Sequence, residues 1–590
     1  MRRLLPAVLC AVLALGLPAG ARAASVTAPP GRTTVRPAST TVRTVPEAPI
    51  QVAVSSLPMP GRSLSSQRAL AIGSAVAKVR DARRGHPGSY GAVYTKGPLR
   101  WQVSFFSRGP RPGGGGGREL AQVTIADRTG RVLEAWSGFQ VAWTMARGYK
   151  GAFGEHVNAL YIWIPLCLLF MVPFFDFRRP LSLLHLDLLM LLSFSVSLAF
   201  FNHANIWASV PLVYPPLLYL LVRMLWLLRR RAAGAPPGRP LRLLIPAPWL
   251  AVAVVFLIGF RVGLNVTDSN VIDVGYAGVI GAQRIAADRP LYGGYPSDNE
   301  HGDTYGPFNY EAYIPFQQVF GWSGRWDDLP AAHGAAIFFD LLAVGLLFLL
   351  GRRMRGPTLG IAFAYAWVSY PFTLFALESN ANDTLVAVTI LAALLAASYG
   401  SGLARFARGG FAALAALTKL APLALAPILA TDGLRGMPPR SRAGSLALFA
   451  AGFLVLGGLA MIPALRHDTL HTVYERTLVY QGNRDSPFSV WGLYGWHGAE
   501  LAAELFAGGL ALVLAVIPRR GDLVGLAAGC AAIMIAVQIS MEHWFYLYIP
   551  WFFALAIVAL LGHFSPQTAP AADAASEPAR STPRAAALST

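Results

Sequence analysis

From residue 157 onward the chain is a succession of apolar runs, each roughly 18–22 residues long, separated by short polar stretches. No other feature constrains the fold as strongly. A run of that length is what an α-helix needs to cross the hydrocarbon core of a bilayer. In lipid only helices and closed barrels satisfy every backbone group internally. The runs lie at 157–175, 181–201, 208–228, 243–264, 331–350, 358–377, 383–400, 443–464, 499–517, 523–541 and 545–562. They predict a polytopic α-helical membrane protein of about 11 spans. A further run, 410–430, contains Lys419, Pro422 and Pro427. It reads as a re-entrant hairpin or a broken helix. Composition agrees: the chain is 54% hydrophobic and only 13% charged, where a soluble domain carries about a quarter charged residues.

The net charge of +19 would suit a nucleic-acid partner, but the arginines cluster in short loops between apolar runs, as membrane topology demands. No nucleic-acid partner is expected. Cys10, Cys167 and Cys530 are far apart in apolar stretches and support neither a disulfide framework nor a metal site.

Residues 1–23, "MRRLLPAVLCAVLALGLPAGARA", have the arginines, apolar core and small-x-small end of a secretory signal peptide. The segment after residue 23 is then extracytoplasmic. Residues 24–62, rich in Pro, Thr, Ser and Val, read as a disordered linker. Residues 63–150 read as a small α+β domain. "SSQRALAIGSAVAKVRDA" has helical periodicity with a Ser cap. "LRWQVSFFSR" and "ELAQVTIADRTGRVLEAW" read as strands, the latter a pair joined by a turn at 127–130. This helix-then-hairpin pattern, with "VTIADRTGRVLEA", resembles the PepSY domain, which implies a non-catalytic binding or regulatory module.

Counting arginines orients the bundle. With the N-terminal domain outside, the loops 176–180, 229–242, 351–357, 401–409, 431–442 and 518–522 are cytoplasmic and hold 17 Arg in 52 residues. The outer loops 202–207, 265–330, 378–382, 465–498 and 542–544 hold 6 in 114. The bias follows the positive-inside rule. Letting both 306–322 and 410–430 span would move Arg352, Arg353, Arg355, Arg405 and Arg408 outside. The tail, 563–590, is Ala, Pro, Ser and Thr and reads as disordered and cytoplasmic.

The long loops 265–330 and 465–498 therefore face outward. The first carries Asp268, Asp273, Asp288, Asp298, Glu300, Asp303, Glu311, Asp327 and Asp328. Asp268 and Asp273 stand apart because they adjoin a span, where burial raises a carboxylate pKa and improves it as a base. Asp268 also reads as a helix cap. Ile272, Tyr276, Val279, Ile280 and Gln283 recur at helical spacing, predicting a helix lying on the membrane surface.

The stretch "IDVGYAGVIGAQRIAADRPLYGG" resembles the first outer loop of polyprenyl-phosphate-sugar-dependent glycosyltransferases of the GT-C superfamily. It is most similar to glycosyltransferase family eighty-seven, which includes bacterial mannosyltransferases. The resemblance rests on Asp273, Tyr276 and the "RPLYGG" ending with Tyr292. "TYGPFNYEAYIPF", with Tyr305 and Pro307, matches a Tyr-Pro-Pro segment in part. "ESNANDTL", "LTKLAPLALAPIL" and "GNRDSPFSVWGL" follow in the family's order. It spans about 245–560 and implies a GT-C-like core at 243–562, preceded by three additional helices at 157–228 that it does not explain.

The resemblance implies an outward-facing transferase. Its donor is a polyprenyl-phosphate-linked sugar, with mannose one expectation, and its acceptor a lipid, glycan or protein. One outer-loop Asp would deprotonate the acceptor hydroxyl, with inversion. Asp273 is the first candidate base and Asp268 the second. Lys419, Arg476 and Arg484 are candidates for the anionic leaving group. An ionisable group inside an apolar hairpin is a functional hypothesis by default. Glu378, Asn380, Asn382 and Asp383 form a polar knot suited to sugar hydroxyls, and His301 and Asp303 could touch substrate. No cofactor or metal is expected. Glu542 and His543 could line the site, while His185 and Asp187 read as interfacial. No Walker pattern appears, which argues against an ATP-driven transporter. Two other readings stay open: a transporter or flippase of lipid-linked sugar, and a non-enzymatic sensor governed by the PepSY-like domain.

Overall fold

The computed structural model describes residues 49–97, 99–108, 117–148, 156–229, 240–482, 484–517 and 519–564. The expected signal peptide, the linker up to residue 48 and the tail from 565 lie outside them.

The N-terminal module is an antiparallel five-stranded sheet in the order β1-β2-β3-β4-β5. Its strands are β1 (Ile50–Val52), β2 (Tyr90–Lys96), β3 (Arg100–Phe106), β4 (Glu119–Ala126) and β5 (Val132–Ser137). Helices α1 (Ser66–Ser74) and α2 (Ala77–Arg84) connect β1 to β2. The Ser65 side chain caps α1 by accepting from the Arg68 N–H. The helix expected as one piece breaks at Ala75 and Val76. The linker boundary is corrected too: Ile50, Gln51 and Val52 pair with Thr95, Tyr94 and Val93, so the module begins before residue 63.

Asp127, which opens the β4–β5 turn, has a larger role than a turn former. It is buried and accepts from the Ser63 N–H at 2.7 Å, the Leu64 N–H at 3.2 Å and Trp101 Nε1 at 2.7 Å. Burial pushes its pKa up. The Ser63 N–H, Trp101, the Leu64 N–H and Arg62 outweigh that and hold the carboxyl below its usual range.

A short helix, α3 (Phe139–Ala142), and the turn after it join this module to the bundle. Gln140 Nε2 donates to the Ala204 carbonyl at 3.1 Å. Gly148 has φ +65°, and a Cβ there would lie 2.5 Å from the Ala204 nitrogen, so only glycine allows so close an approach.

The bundle begins with α4 (Leu160–Met171), α5 (Leu183–Asn202), α6 (Ile206–Leu212) and α7 (Tyr214–Leu227). The long α8 (Ala247–Asp268) leads to α9 (Asp273–Ala286), α10 (Pro307–Glu311) and α11 (Ile314–Phe320). Next come α12 (Pro330–Arg355), α13 (Pro357–Ser369), α14 (Pro371–Glu378) and α15 (Asp383–Ala397). Then follow α16 (Gly402–Thr418), α17 (Ala426–Thr431), α18 (Pro439–Leu465) and α19 (Leu470–Tyr474). The order closes with α20 (Tyr480–Gly482), α21 (Val490–Tyr494), α22 (His497–Val516), α23 (Leu523–Ser540) and α24 (Ile549–Gly562).

Among the described residues, seven helical segments are long and apolar enough to cross a membrane, and α13 with α14, bent by 58°, makes an eighth if the pair is one broken span. The bend falls at Tyr370-Pro371, where proline removes a backbone donor. Leu160–Phe174, Asp383–Ala397 and Tyr546–Gly562 are shorter apolar helices, at places where the hydropathy expects spans. Residues 306–322 form only the short α10 and α11, and no helix long enough to cross a membrane.

The run around Lys419 is a hairpin. The chain follows α16 to Thr418, turns at Lys419 in extended backbone (φ −142°, ψ 147°) and returns through a 3-10 turn and α17. Asp432, just past α17, lies 3.5 Å from Arg408 on α16, so the two arms lie side by side. Arg405 and Arg408 belong to the first turns of α16 and not to a loop. Small residues bring α16 onto α18: a Cβ on Gly409 would sit 2.0 Å from the Phe449 carbonyl oxygen, and one on Gly452 1.9 Å from that of Phe406.

Candidate active site

The long loops meet at one end of the bundle, where α9 is the central element. Asp273 is its first residue, where helix-terminal N–H groups favour an anion. The stretch Gly275–Ala282 is buried throughout, which corrects the expectation of a helix lying on the membrane surface. The reason is a glycine stripe. Cβ atoms on Gly275, Gly278 and Gly281 would sit 2.2 Å from the Asn380 carbonyl oxygen, 2.7 Å from the Tyr313 ring and 2.2 Å from the Tyr310 ring. The sequence carried this signal, glycine at every third position, beside the apolar periodicity.

The polar knot fixes where α9 starts. Asn270 and Ile272 donate their N–H groups to the Glu378 and Ser379 carbonyls at 3.0 and 3.1 Å. Asn380, at φ +51°, donates to Ser269 Oγ at 2.8 Å and to the Asn270 carbonyl at 3.1 Å, and accepts from Asn265 at 2.9 Å. Asn380 is therefore committed to scaffolding. On the far side, Asn299 Nδ2 donates to the Asp273 carbonyl at 2.9 Å.

Asp273 lies deep among protein atoms, yet its surface remains exposed, as a residue lining an open cavity would be. Burial raises its pKa. Arg484, the Val274 N–H and Lys419 pull it down, and burial prevails. Its neighbour is the hairpin tip. Lys419 Nζ lies 2.6 Å from Asp383 Oδ1, and the rings of Tyr305, Tyr548 and Trp551 surround the ammonium at 5.4, 5.1 and 5.1 Å. Trp551 Nε1 donates to the same Asp383 oxygen at 3.1 Å. Asp383 Oδ2, Asn382 Oδ1, Asn309 Nδ2, Glu311 Oε1 and Tyr313 Oη are buried without a hydrogen-bond partner. Buried polar groups in folded proteins are nearly always satisfied, so this cluster has capacity for a polar ligand. Glu311, with burial as its sole cause, is pushed up to about 8.

Arg484 closes the other side. Its guanidinium lies 5.4 Å from the ring of Trp143, which comes from the N-terminal module's connector. Trp143 also packs on Phe488 at 5.4 Å and His543 at 5.7 Å. The Nδ1 of His543 and the Ser486 hydroxyl lie 2.9 Å apart. Burial, then the positive charges of Arg484 and Lys419, drive the imidazole pKa well below its ordinary value. Sequence reasoning missed Trp143, Tyr548 and Trp551. The aromatic run "WHGAE…EHWFYLYIPW" pointed to the last two, whereas nothing local marked Trp143.

Other expected site residues hold the scaffold. Asp268 is clamped by His156, whose Nδ1 is 2.6 Å and whose N–H is 2.7 Å from its carboxylate. Arg476 reaches Asp303 at 3.3 Å, and Asp303 accepts from the Gly293 N–H at 2.6 Å. That carboxylate and Asp468, which accepts from the Leu291 and Tyr292 N–H groups at 2.8 and 3.2 Å, fasten the "RPLYGG" turn. Tyr292 donates its hydroxyl to the Tyr305 carbonyl at 3.0 Å. Tyr276 is fully buried, stacked on Trp326 at 5.1 Å. His301 is exposed beside Tyr480. Glu378 is fully buried, and neither of its carboxylate oxygens has a hydrogen-bond partner. Among the described residues, His497, Glu500 and Glu542 place potential metal-ligand atoms within 4.8 Å of one another.

No curated protein matches the chain. Among solved structures it is similar to the crystal structure of ArnT from Cupriavidus metallidurans bound to undecaprenyl phosphate, at 17% identity and a TM-score of 0.34. That similarity covers 54% of this chain and 60% of the other, so the chain spans less than two thirds of that protein's length. Residues 304–541 match a protein family, and the match takes in Tyr305, Asp383, Lys419 and Arg484 while leaving Asp273 just ahead of it. The family that residues 304–541 of this membrane chain match is glycosyltransferase family 87.

Proposed function

We propose that the protein transfers a sugar from a polyprenyl-phosphate donor to an extracytoplasmic acceptor, with Asp273 as general base. The observation that carries this reading is the convergence of one open, pKa-raised carboxylate with Lys419 and Arg484 at the end where the long loops meet. The acceptor hydroxyl gives its proton to Asp273. Its oxygen forms the new bond to the anomeric carbon while the bond from that carbon to the phosphate oxygen breaks. The polyprenyl phosphate leaves as an anion, which Lys419 and Arg484 stabilise. Attack opposite the leaving group inverts the anomeric centre. The unpartnered atoms of Asp383, Asn382 and Glu311 supply polar contacts for sugar hydroxyls.

Arginine-rich loops at the opposite end favour an extracytoplasmic site, where nucleotide sugars are absent and a lipid carrier is the available donor. Mannose is the sugar we propose. The acceptor is a lipid, glycan or protein. The test is transfer from labelled polyprenyl-phosphate mannose by membranes holding the wild type, Asp273→Asn or Asp268→Asn. The expected result is loss in the first variant and retention in the second. Full activity of Asp273→Asn would end the base assignment.

A further inference from the structure

At the end of the bundle away from Asp273, a cavity of 950 Å³ opens between the leading helices and the C-terminal part of the core. Five arginines line it: Arg179 before α5, Arg223 and Arg229 at the end of α7, Arg242 before α8, and Arg520 before α23. Two are already neutralised. Arg223 Nε reaches both oxygens of Asp187, at 2.9 and 3.0 Å, and Arg520 Nε reaches both of Asp522 at 2.7 Å. Arg179, Arg229 and Arg242 have no carboxylate partner among the described residues. The remaining acid of the lining is Asp176, so three uncompensated guanidinium groups oppose one carboxylate.

The walls are fixed. The His185 ring stacks on Phe175 at 4.2 Å, its Nε2 accepts from the Asp176 N–H at 2.9 Å, and its Nδ1 bonds the Pro180 carbonyl at 2.8 Å. Those partners assign the proton to Nδ1. The Arg520 N–H donates to the Leu228 carbonyl at 3.0 Å, and the Leu244 N–H to that of Pro173 at 2.8 Å. These bonds give His185 and Asp187 the task of shaping this cavity.

Apolar side chains of the same walls point outward: Leu181, Leu183 and Trp226 are 99%, 57% and 60% exposed. A cavity for a small soluble anion has no use for such a flank. Acyl chains beside a headgroup do. We infer that this cavity binds the phosphate of an acidic phospholipid, with the guanidinium groups on the phosphate oxygens and the acyl chains against Leu181, Leu183 and Trp226. Guanidinium matches phosphate geometry through paired N–H donors, and basic pockets between membrane helices select anionic headgroups. The bound lipid bridges the leading helices, which lie outside the family match, to the core.

The experiment uses the full chain purified in detergent, the wild type beside Arg179→Ala/Arg229→Ala/Arg242→Ala and Asp176→Asn. Binding of phosphatidylglycerol and phosphatidylcholine is read by native mass spectrometry, and thermal midpoints are recorded with each lipid and with inorganic phosphate. The expected result is selective retention of phosphatidylglycerol by the wild type and a loss of roughly a hundredfold in the triple variant, as three basic contacts would give. Asp176→Asn, which removes no cation, should bind more tightly and decides the matter should the triple variant fail to fold. Equal retention of both lipids, or unchanged binding in the triple variant, would overturn the site. A saturable midpoint shift with inorganic phosphate alone would overturn the lipid assignment.

Discussion

Gly275→Ala tests whether the polar knot places Asp273, the proposed base. Gly275 lies two residues beyond Asp273 in the first turn of α9. An added Cβ would sit 2.2 Å from the Asn380 carbonyl oxygen and 3.0 Å from Val271 Cγ1. A Cβ essentially never approaches closer than 3.0 Å, and the obstacle is backbone held by the Asn380 bonds to Ser269 and Asn270. The start of α9 must therefore retreat by about 0.8 Å, and Asp273 moves with it. Misplacing a catalytic group by about 1 Å costs on the order of a hundredfold in rate. Gly259→Ala on α8 is the control, because nothing lies within 4 Å of its added Cβ. Single-turnover transfer from labelled polyprenyl-phosphate sugar measures both. We expect roughly a hundredfold loss for Gly275→Ala, with donor binding retained, and wild-type behaviour for Gly259→Ala. A wild-type rate for Gly275→Ala in a folded protein would refute the placement of Asp273 by the 378–382 turn.

Three other outcomes rest on the same geometry. Lys419→Met leaves the Asp383 carboxylate buried without its cation and should destabilise by about 3–5 kcal/mol. Adding Asp383→Asn should recover part of that loss, and strictly additive thermal shifts would show that the pair does not interact. Because burial raises the Asp273 pKa and a general base works only when ionised, transfer should fall as pH drops through that pKa. The acid limb should lie above the ordinary aspartate value of about 4. Arg484→Ala, which removes an interaction lowering that pKa, should move the limb to higher pH; a limb moving to lower pH would contradict the arrangement. Trp143→Ala removes the ring beside the Arg484 guanidinium and should lower kcat by roughly five- to thirtyfold, the equivalent of about 1–2 kcal/mol. An unchanged kcat would mean that the N-terminal module does not reach the site.

The sequence by itself determined the helical membrane architecture, because hydropathy over some twenty residues is a local property and the bilayer reads it locally. It also singled out Asp273, which adjoins a span, Lys419, which interrupts an apolar run, and Arg484, in an outer loop poor in positive charge, because such charges are conspicuous in one dimension. It left the Lys419 segment as either hairpin or broken helix. That choice depends on where the second arm goes, and the contact of Asp432 with Arg408 settles it. Only the tertiary structure separated the side chains left open at the proposed site from those tied into scaffold. Asp268 and Asp273 look alike in sequence, yet one is clamped by His156, more than a hundred positions away in the chain, and the other is left open. Arg476 and Arg484 look equally free, yet Asp303 takes the first. The apolar face of α9 predicted a helix on the membrane surface, and the glycine stripe buried it instead by admitting Tyr310, Tyr313 and the Asn380 backbone. Trp143 carries no local mark at all. Periodicity reports how much of a segment leaves water, whereas the partner that takes up a charge or fills a glycine notch comes from distant chain and exists only after folding.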